Sequence, residues 1–360
     1  MRGRGRRLAA LGALCLAPLL AGCWDATDIN DRTPTVAVGF DTAPHGGYEV
    51  TLGNALGTSS SGQSPAGIAV GITPTATGPT LPKALAAMHR LTSRTTSFEA
   101  VQVYVLGHAL LARDGGGEVL DYLREANDID PSALLISAHA TAHALLSHRD
   151  PVFQSEGVRL VREFKSTHAI SDGGIAQQVW DAERRRLDGL PYFVAEYEAS
   201  DQAPVRALGA VVVPPAGPLL SLGPEEQHAL NWLLGRNDYA QVDLPDGQVV
   251  RILGVRTRLG WDRARAMATV DLSLTAAGYK LKSFLQSRAQ VAALETETAH
   301  TAAARVGAVV RTLSTRGLDV MDLREVAREA GAPFPGVRAT PVAFEVHVNV
   351  LPVPERQPAP

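Results

Sequence analysis

The segment PVAFEVHVNVLP, residues 341–352, alternates apolar and polar side chains through its centre, from Phe344 to Val350. Val342, Phe344, Val346, Val348 and Val350 fall on one face of an extended chain, and Glu345, His347 and Asn349 on the other. A period of two is the mark of a strand with one face buried and one in water. Upstream, residues 283–317 carry Val291, Leu294, Ala302, Val306, Val309 and Leu313 at helical spacing, and Gly317 closes the run. That predicts a single long helix. Neither stripe can be buried by its own element. A long helix laid across one face of an antiparallel sheet buries both. QVVRILGVRTRLGW (248–261) and AMATVDLSLTAAG (266–278) supply further strands, the second with Val270, Leu272 and Leu274 on one face.

The first half has a different rhythm. TPTVAVGF (33–40) and GGYEVTLGNAL (46–56) read as strands joined by a turn containing Pro44, Gly46 and Gly47. SSSGQSPAG (59–67) is a loop, and residues 77–94 carry Leu81, Leu85, Met88 and Leu91 at helical spacing. VQVYVLG (101–107) is a strand, 108–128 is helical on both sides of Gly115-Gly116-Gly117, and SALLISAHA (132–140) is a buried strand. Strands alternating with helices point to a mixed α/β body. Residues 145–200 read as mostly helical and polar, 207–215 as a strand and 223–236 as an amphipathic helix. The expectation is an α+β, multi-domain chain: a mixed α/β body at 23–200, and a unit at 201–354 with an antiparallel sheet on one long helix. That unit is read as one domain or as two divided near 265, and 355–360 as a tail.

The chain opens MRGRGRR, with Arg2, Arg4, Arg6 and Arg7, and then runs LAALGALCLAPLLAG without a charge. This is the pattern of an export signal. The apolar run is shorter than the roughly 20 residues a membrane-spanning helix needs. Leu20-Ala21-Gly22-Cys23 has the order of a bacterial lipobox. Small residues fit an extended chain into a peptidase cleft, and the Cys23 thiol is the group there that can form a thioether to diacylglycerol. Cleavage between Gly22 and Cys23 removes residues 1–22 and leaves Cys23 as an N-acylated, lipid-bearing terminus. Two or more acyl chains make anchoring stable. Position, residue order and the arginines favour this over an ordinary secretory signal with a chance cysteine.

Charge and cysteine usage narrow the function. The formal charge of −3 becomes −3 − 4 = −7 once the four signal arginines leave. An acidic body argues against nucleic acid as a partner and against an electrostatic clamp on anionic lipid. Cys15 and Cys23 are the only cysteines, so the exported body has no disulfide and rests on its apolar core.

The chemistry-bearing stretches read mostly as structure. His139 and His143 would share a face if helical, a spacing that zinc sites use. But the HExxH glutamate is absent and 132–140 reads as strand, so surface or capping histidines are expected and no metal site. EVLDYLRE, DAERRRLD and DLREVARE read as solvated helix faces with i,i+4 pairs. Gly115-Gly116-Gly117 lacks the lysine of a phosphate loop, and no G-x-S-x-G elbow is present.

GCWDATDIND, with a strand ending Gly39-Phe40-Asp41 behind it, resembles the start of the Ger(x)C family, the C subunits of spore germinant receptors. The residues that carry the likeness are Cys23, Trp24, Asp25, Asp28, Ile29, Asn30 and Asp31. VYVLGHALLARDG, LREANDIDPSALLISA, ALNWLLG (229–235) and the Phe344 strand continue it in order. The resemblance implies a lipoprotein on the outer face of the spore inner membrane. It implies contact with a polytopic A subunit and a transporter-like B subunit, and neither catalysis nor a cofactor beyond the lipid on Cys23. Trp24 then reads either as a membrane-proximal docking residue or as the start of a linker. The alternative function is an extracytoplasmic solute-binding lipoprotein serving a transporter.

Overall fold

The computed structural model describes residues 32–54, 73–91, 95–126, 129–148, 156–165, 177–200, 203–236, 240–245, 247–279 and 288–351. Two sheets organise them. The first holds β1 (Arg32–Thr42), β2 (Tyr48–Asn54), β3 (Thr75–Gly78), β4 (Thr95–Ser97), β5 (Val103–Gly107), β6 (Leu134–Ala138), β7 (Gln177–Gln178), β8 (Tyr192–Ser200), β9 (Ala203–Val213) and β10 (Leu220–Leu222). Their order is β10-β9-β8-β6-β5-β1-β2-β3, with β4 beside β1 and β7 beside β6. The centre of the sheet, β8-β6-β5-β1, is parallel, and its flanks are antiparallel.

Parallel neighbours need crossover connections, and these are helical. α1 (Leu81–Leu91), α2 (His108–Asp114), α3 (Gly117–Glu125) and α6 (Val179–Leu187) cover one face, where Leu85, Met88, Leu111, Leu120 and Ala182 pack on Phe40, Tyr104, Leu106 and Val194. α4 (Ala142–Ser147) and α5 (Glu156–Lys165) cover the other, where Leu145, Leu146 and Leu160 pack on Ala37, Val105, Ile136 and Ala195. This explains why β5 and β6 read as continuous apolar runs: both of their faces are buried.

Strand β8 is where the structure departs most from the sequence reading, which held residues 145–200 to be mostly helical. Tyr192, Val194, Phe193, Ala195 and Tyr197 are all buried, on both faces of the sheet. The β8–β9 hairpin spans residue 200, so the first sheet continues through Leu222.

The second sheet has the order β11 (Gln241–Asp243), β12 (Val249–Asp262), β13 (Met267–Tyr279), β14 (Val342–Leu351). β12 and β13 form one long hairpin turning at 263–266, so both sides of residue 265 lie in the same sheet. α7 (Pro224–Leu233) precedes this sheet, and α8 (Arg288–Arg316) and α9 (Leu323–Glu329) lie between β13 and β14. The expected long helix on a C-terminal sheet is present, with Leu294, Ala302, Val306, Val309 and Leu313 in its core.

The expected antiparallel sheet is a mixed one, because β14 runs parallel to β13 from Ala268–Val342 to Ala277–Leu351. Length explains the direction. The 29 residues of α8 span about 43 Å at ~1.5 Å per residue. The 13 residues of β13 span about 43 Å at ~3.3 Å per residue. The helix therefore carries the chain back to the end where β13 began, and β14 repeats the strand's direction.

The two halves share one apolar cluster. Phe193, Ala210 and Val212 of the first sheet join Leu230, Trp232 and Leu233 of α7, Ile252 and Leu272 of the second sheet, and Val306 of α8. Arg185 of α6 adds a polar tie. It is buried, and its guanidinium donates to the carbonyls of Pro191, Asp319 and Val320 at 2.8, 3.1 and 3.0 Å and to the Asp322 carboxylate at 3.1 Å. The DAERRRLD stretch is thus only in part the solvated face expected of it.

Candidate functional site at the carboxyl ends of the parallel strands

In an open α/β sheet, chemistry gathers at the carboxyl ends of the parallel strands, where the backbone leaves the sheet into loops. Here those ends carry Asp41, His108, His139 and Glu196. Asp41 lies at the end of β1 and is buried. Its carboxylate accepts from the backbone N–H of Ala142 at 2.8 Å and of His143 at 2.9 Å, closing the first turn of α4. Burial raises its pKa above the usual aspartate range, and the two N–H donors oppose that shift. Gly107, the last residue of β5, lies against this carboxylate, and a Cβ there would overlap Asp41 Oδ1. Gly39 makes the same room for Ala142, whose Cβ would lie 2.8 Å from one added at Gly39.

His108 opens α2 directly after β5, and His139 follows β6. Glu196 lies in β8, paired in register with Ser137 of β6 and just before a bulge. The Nδ1 atoms of His108 and His139 stand 3.0 and 3.2 Å from the same atom, Glu196 Oε1. Glu196 is buried, His108 half-buried and His139 exposed. The His139 N–H donates to Tyr197 O at 2.8 Å, which fixes this turn to the β8 bulge.

His139 and His143 do not act as a pair. His143 is in α4, with Nδ1 3.0 Å from Thr75 Oγ1. The sequence reading missed the partnership of His139 with His108 and Glu196, which lie 31 positions before and 57 after it. Gly115 and Gly116 both adopt left-handed φ, 65° and 68°, in the tight turn between α2 and α3, as a loop reading requires. The residues expected to act at the terminus (Gly22, Cys23, Trp24, Asp25, Asp28, Asn30 and Asp31) lie outside the described residues. Among the described residues, no helix is long and apolar enough to cross a membrane.

Comparison with known proteins gives two findings. Residues 25–184 match the family described as the spore germination protein N-terminal domain. The fold is similar to the crystal structure of the GerBC protein, with a TM-score of 0.54 and 14% identity over 87% of this chain and 96% of that one. No curated protein matches the sequence. Several of the residues that carried the resemblance now have structural work: Gly39 and Gly107 admit α4 and Asp41, Asp130 accepts from Ser132, and Trp232 is fully buried. The N-terminal domain match over 25–184 and the fold shared with GerBC along most of its length both agree with the resemblance to the Ger(x)C family.

Proposed function

We propose that the chain is the C subunit of a spore germinant receptor. In this reading it is held on the outer face of the spore inner membrane by diacylglycerol and an N-acyl chain on Cys23. It acts through contacts with polytopic A and B subunits, and it is not an enzyme. The observation that carries the reading is one of position. The matched spore germination domain begins at residue 25, two residues after the cysteine of Leu20-Ala21-Gly22-Cys23.

A lipid tether has a direct physical use here. It confines the body to a thin layer beside its membrane partners and raises their effective concentration. A modest interface then suffices for assembly.

The test is a pull-down from detergent-solubilised spore inner membrane with the tagged protein beside a Cys23→Ala variant. The expected result is recovery of two polytopic partners by the wild type, and loss of membrane association and of both partners in the variant. Recovery of a transporter permease instead would favour a solute-binding lipoprotein and refute the receptor reading.

A further inference from the structure

We propose that His108, His139 and Glu196 form a binding site for a divalent transition-metal ion of the zinc type. The inference is independent of the receptor reading, since it rests only on the carboxyl edge of the first sheet.

Three strands that are neighbours in the sheet but distant in sequence deliver the donors. Two imidazole nitrogens and one carboxylate oxygen lie within 4.8 Å of one another. Both rings turn the same atom, Nδ1, toward the same oxygen, at 3.0 and 3.2 Å. Ligands about 2.0–2.1 Å from a tetrahedral zinc ion stand about 3.3 Å apart, so these separations need little adjustment to take an ion. The rings are not stacked on each other; their planes are tilted by 59° with centroids 5.9 Å apart.

The setting also fits an ion. Glu196 is buried in the sheet while His139 is exposed, so a cation enters from solvent onto a carboxylate held from below. With three protein ligands, a fourth position stays open for water. Ser137, the register neighbour of Glu196, is fully buried, and its hydroxyl has no hydrogen-bond partner among the described residues. An ion with its bound water would give that edge of the strand a polar partner. The mixed nitrogen and oxygen set favours zinc, cobalt or nickel over calcium and magnesium, which prefer oxygen alone.

The experiment uses the full-length lipoprotein in detergent, stripped with chelator and titrated with zinc chloride by calorimetry and with cobalt chloride by visible absorption. One equivalent of zinc is expected, with cobalt bands of nitrogen and oxygen ligation. Replacing a direct ligand costs at least the roughly tenfold or more that loss of an outer partner costs, so His139→Ala and Glu196→Gln should each weaken binding by that much. His139 is in an exposed turn, so its variant tests the site without disturbing the core, and unchanged circular dichroism confirms the fold. Absence of saturable binding, or equal binding by the wild type and His139→Ala, would overturn the proposal. A preference for magnesium or calcium over zinc would overturn it as well.

Discussion

Truncating Arg185 to alanine tests how the two sheets are held together. The side chain is only 4% exposed and makes four donor contacts, three of them to backbone carbonyls of Pro191, Asp319 and Val320. The ion pair with Asp322 contributes little, because that carboxylate is 38% exposed and water screens it. The carbonyls dominate. Each buried acceptor left unmade costs about 1–3 kcal/mol, so the three carbonyls together bound the loss at about 3–9 kcal/mol. Water entering the vacated space recovers part of the sum, so a loss of about 3–5 kcal/mol is expected. Urea unfolding followed by tryptophan fluorescence measures it, since Trp232 lies in the cluster that joins the halves. With a slope of about 3 kcal/mol per molar, the midpoint should fall by roughly 1 M or more. Arg185→Lys keeps the charge but loses the planar fork, and should recover only part of the loss. A midpoint shift below about 0.3 M for Arg185→Ala, which is under 1 kcal/mol on the same slope, would refute the claim that this side chain ties the halves.

Three further outcomes follow from single positions. Gly107→Ala would drive a Cβ into the Asp41 carboxylate, and a forced contact in a packed core costs about 1–3 kcal/mol, read as a lower urea midpoint. Asp41 has its folded pKa raised by burial, so its contribution is present below the ordinary aspartate range and lost as pH rises through the folded value. The stability gap between wild type and Asp41→Asn should therefore widen as pH falls, and a narrowing gap would mean that the N–H donors outweigh burial. Thr298 is fully buried on α8 with a hydroxyl that has no partner among the described residues, so Thr298→Val should raise stability by about 1 kcal/mol, read in the same urea assay.

The elements that sequence made legible are those whose pattern is local. α8 and β14 each carry their own period, β5 and β6 are short continuous apolar runs, and the bounds of all four were readable to within about five residues. Strand β8 was not, because its apolar run from Tyr192 is interrupted by Glu196 and Glu198 and follows the polar helix α6, so neither a continuous run, a clean alternation nor a helical stripe marks it. The aromatic and β-branched content of Tyr192, Phe193, Val194 and Tyr197 was the available signal. The direction of β14 was hidden for another reason. Alternation specifies which face is buried and says nothing about which way a neighbour runs. Arg185 looked like any arginine on a solvated helix, since three of its four partners, Asp319, Val320 and Asp322, lie more than 130 positions away. The His108–Glu196 pairing likewise spans 88 positions and exists only because β5, β6 and β8 are neighbours.

That division by range separates fold from function in this chain. Gly107 of β5 lies 66 positions after Asp41 of β1, yet with Gly39 they make one joint: the carboxylate closes the first turn of α4 while the two glycines clear space for the carboxylate and for Ala142. A bulkier residue at either glycine, or a lost carboxylate, disturbs how α4 seats on the sheet. Nothing in this joint reaches solvent chemistry, so a likeness resting on it carries architecture. The proposed anchor segment is the opposite case. Cys23 needs only a short run of small residues before it, and no part of the folded body has to form for a peptidase or an acyl donor to recognise that run. In the proposed reading, loss of the thiol would remove the membrane and leave the packing of the two sheets alone, whereas a change at Gly107 would strain the packing and leave the tether. The two sets of residues act through independent physics, and a receptor subunit of the kind proposed needs both: a stiff body to present a surface, and a tether that holds the surface where its partners are.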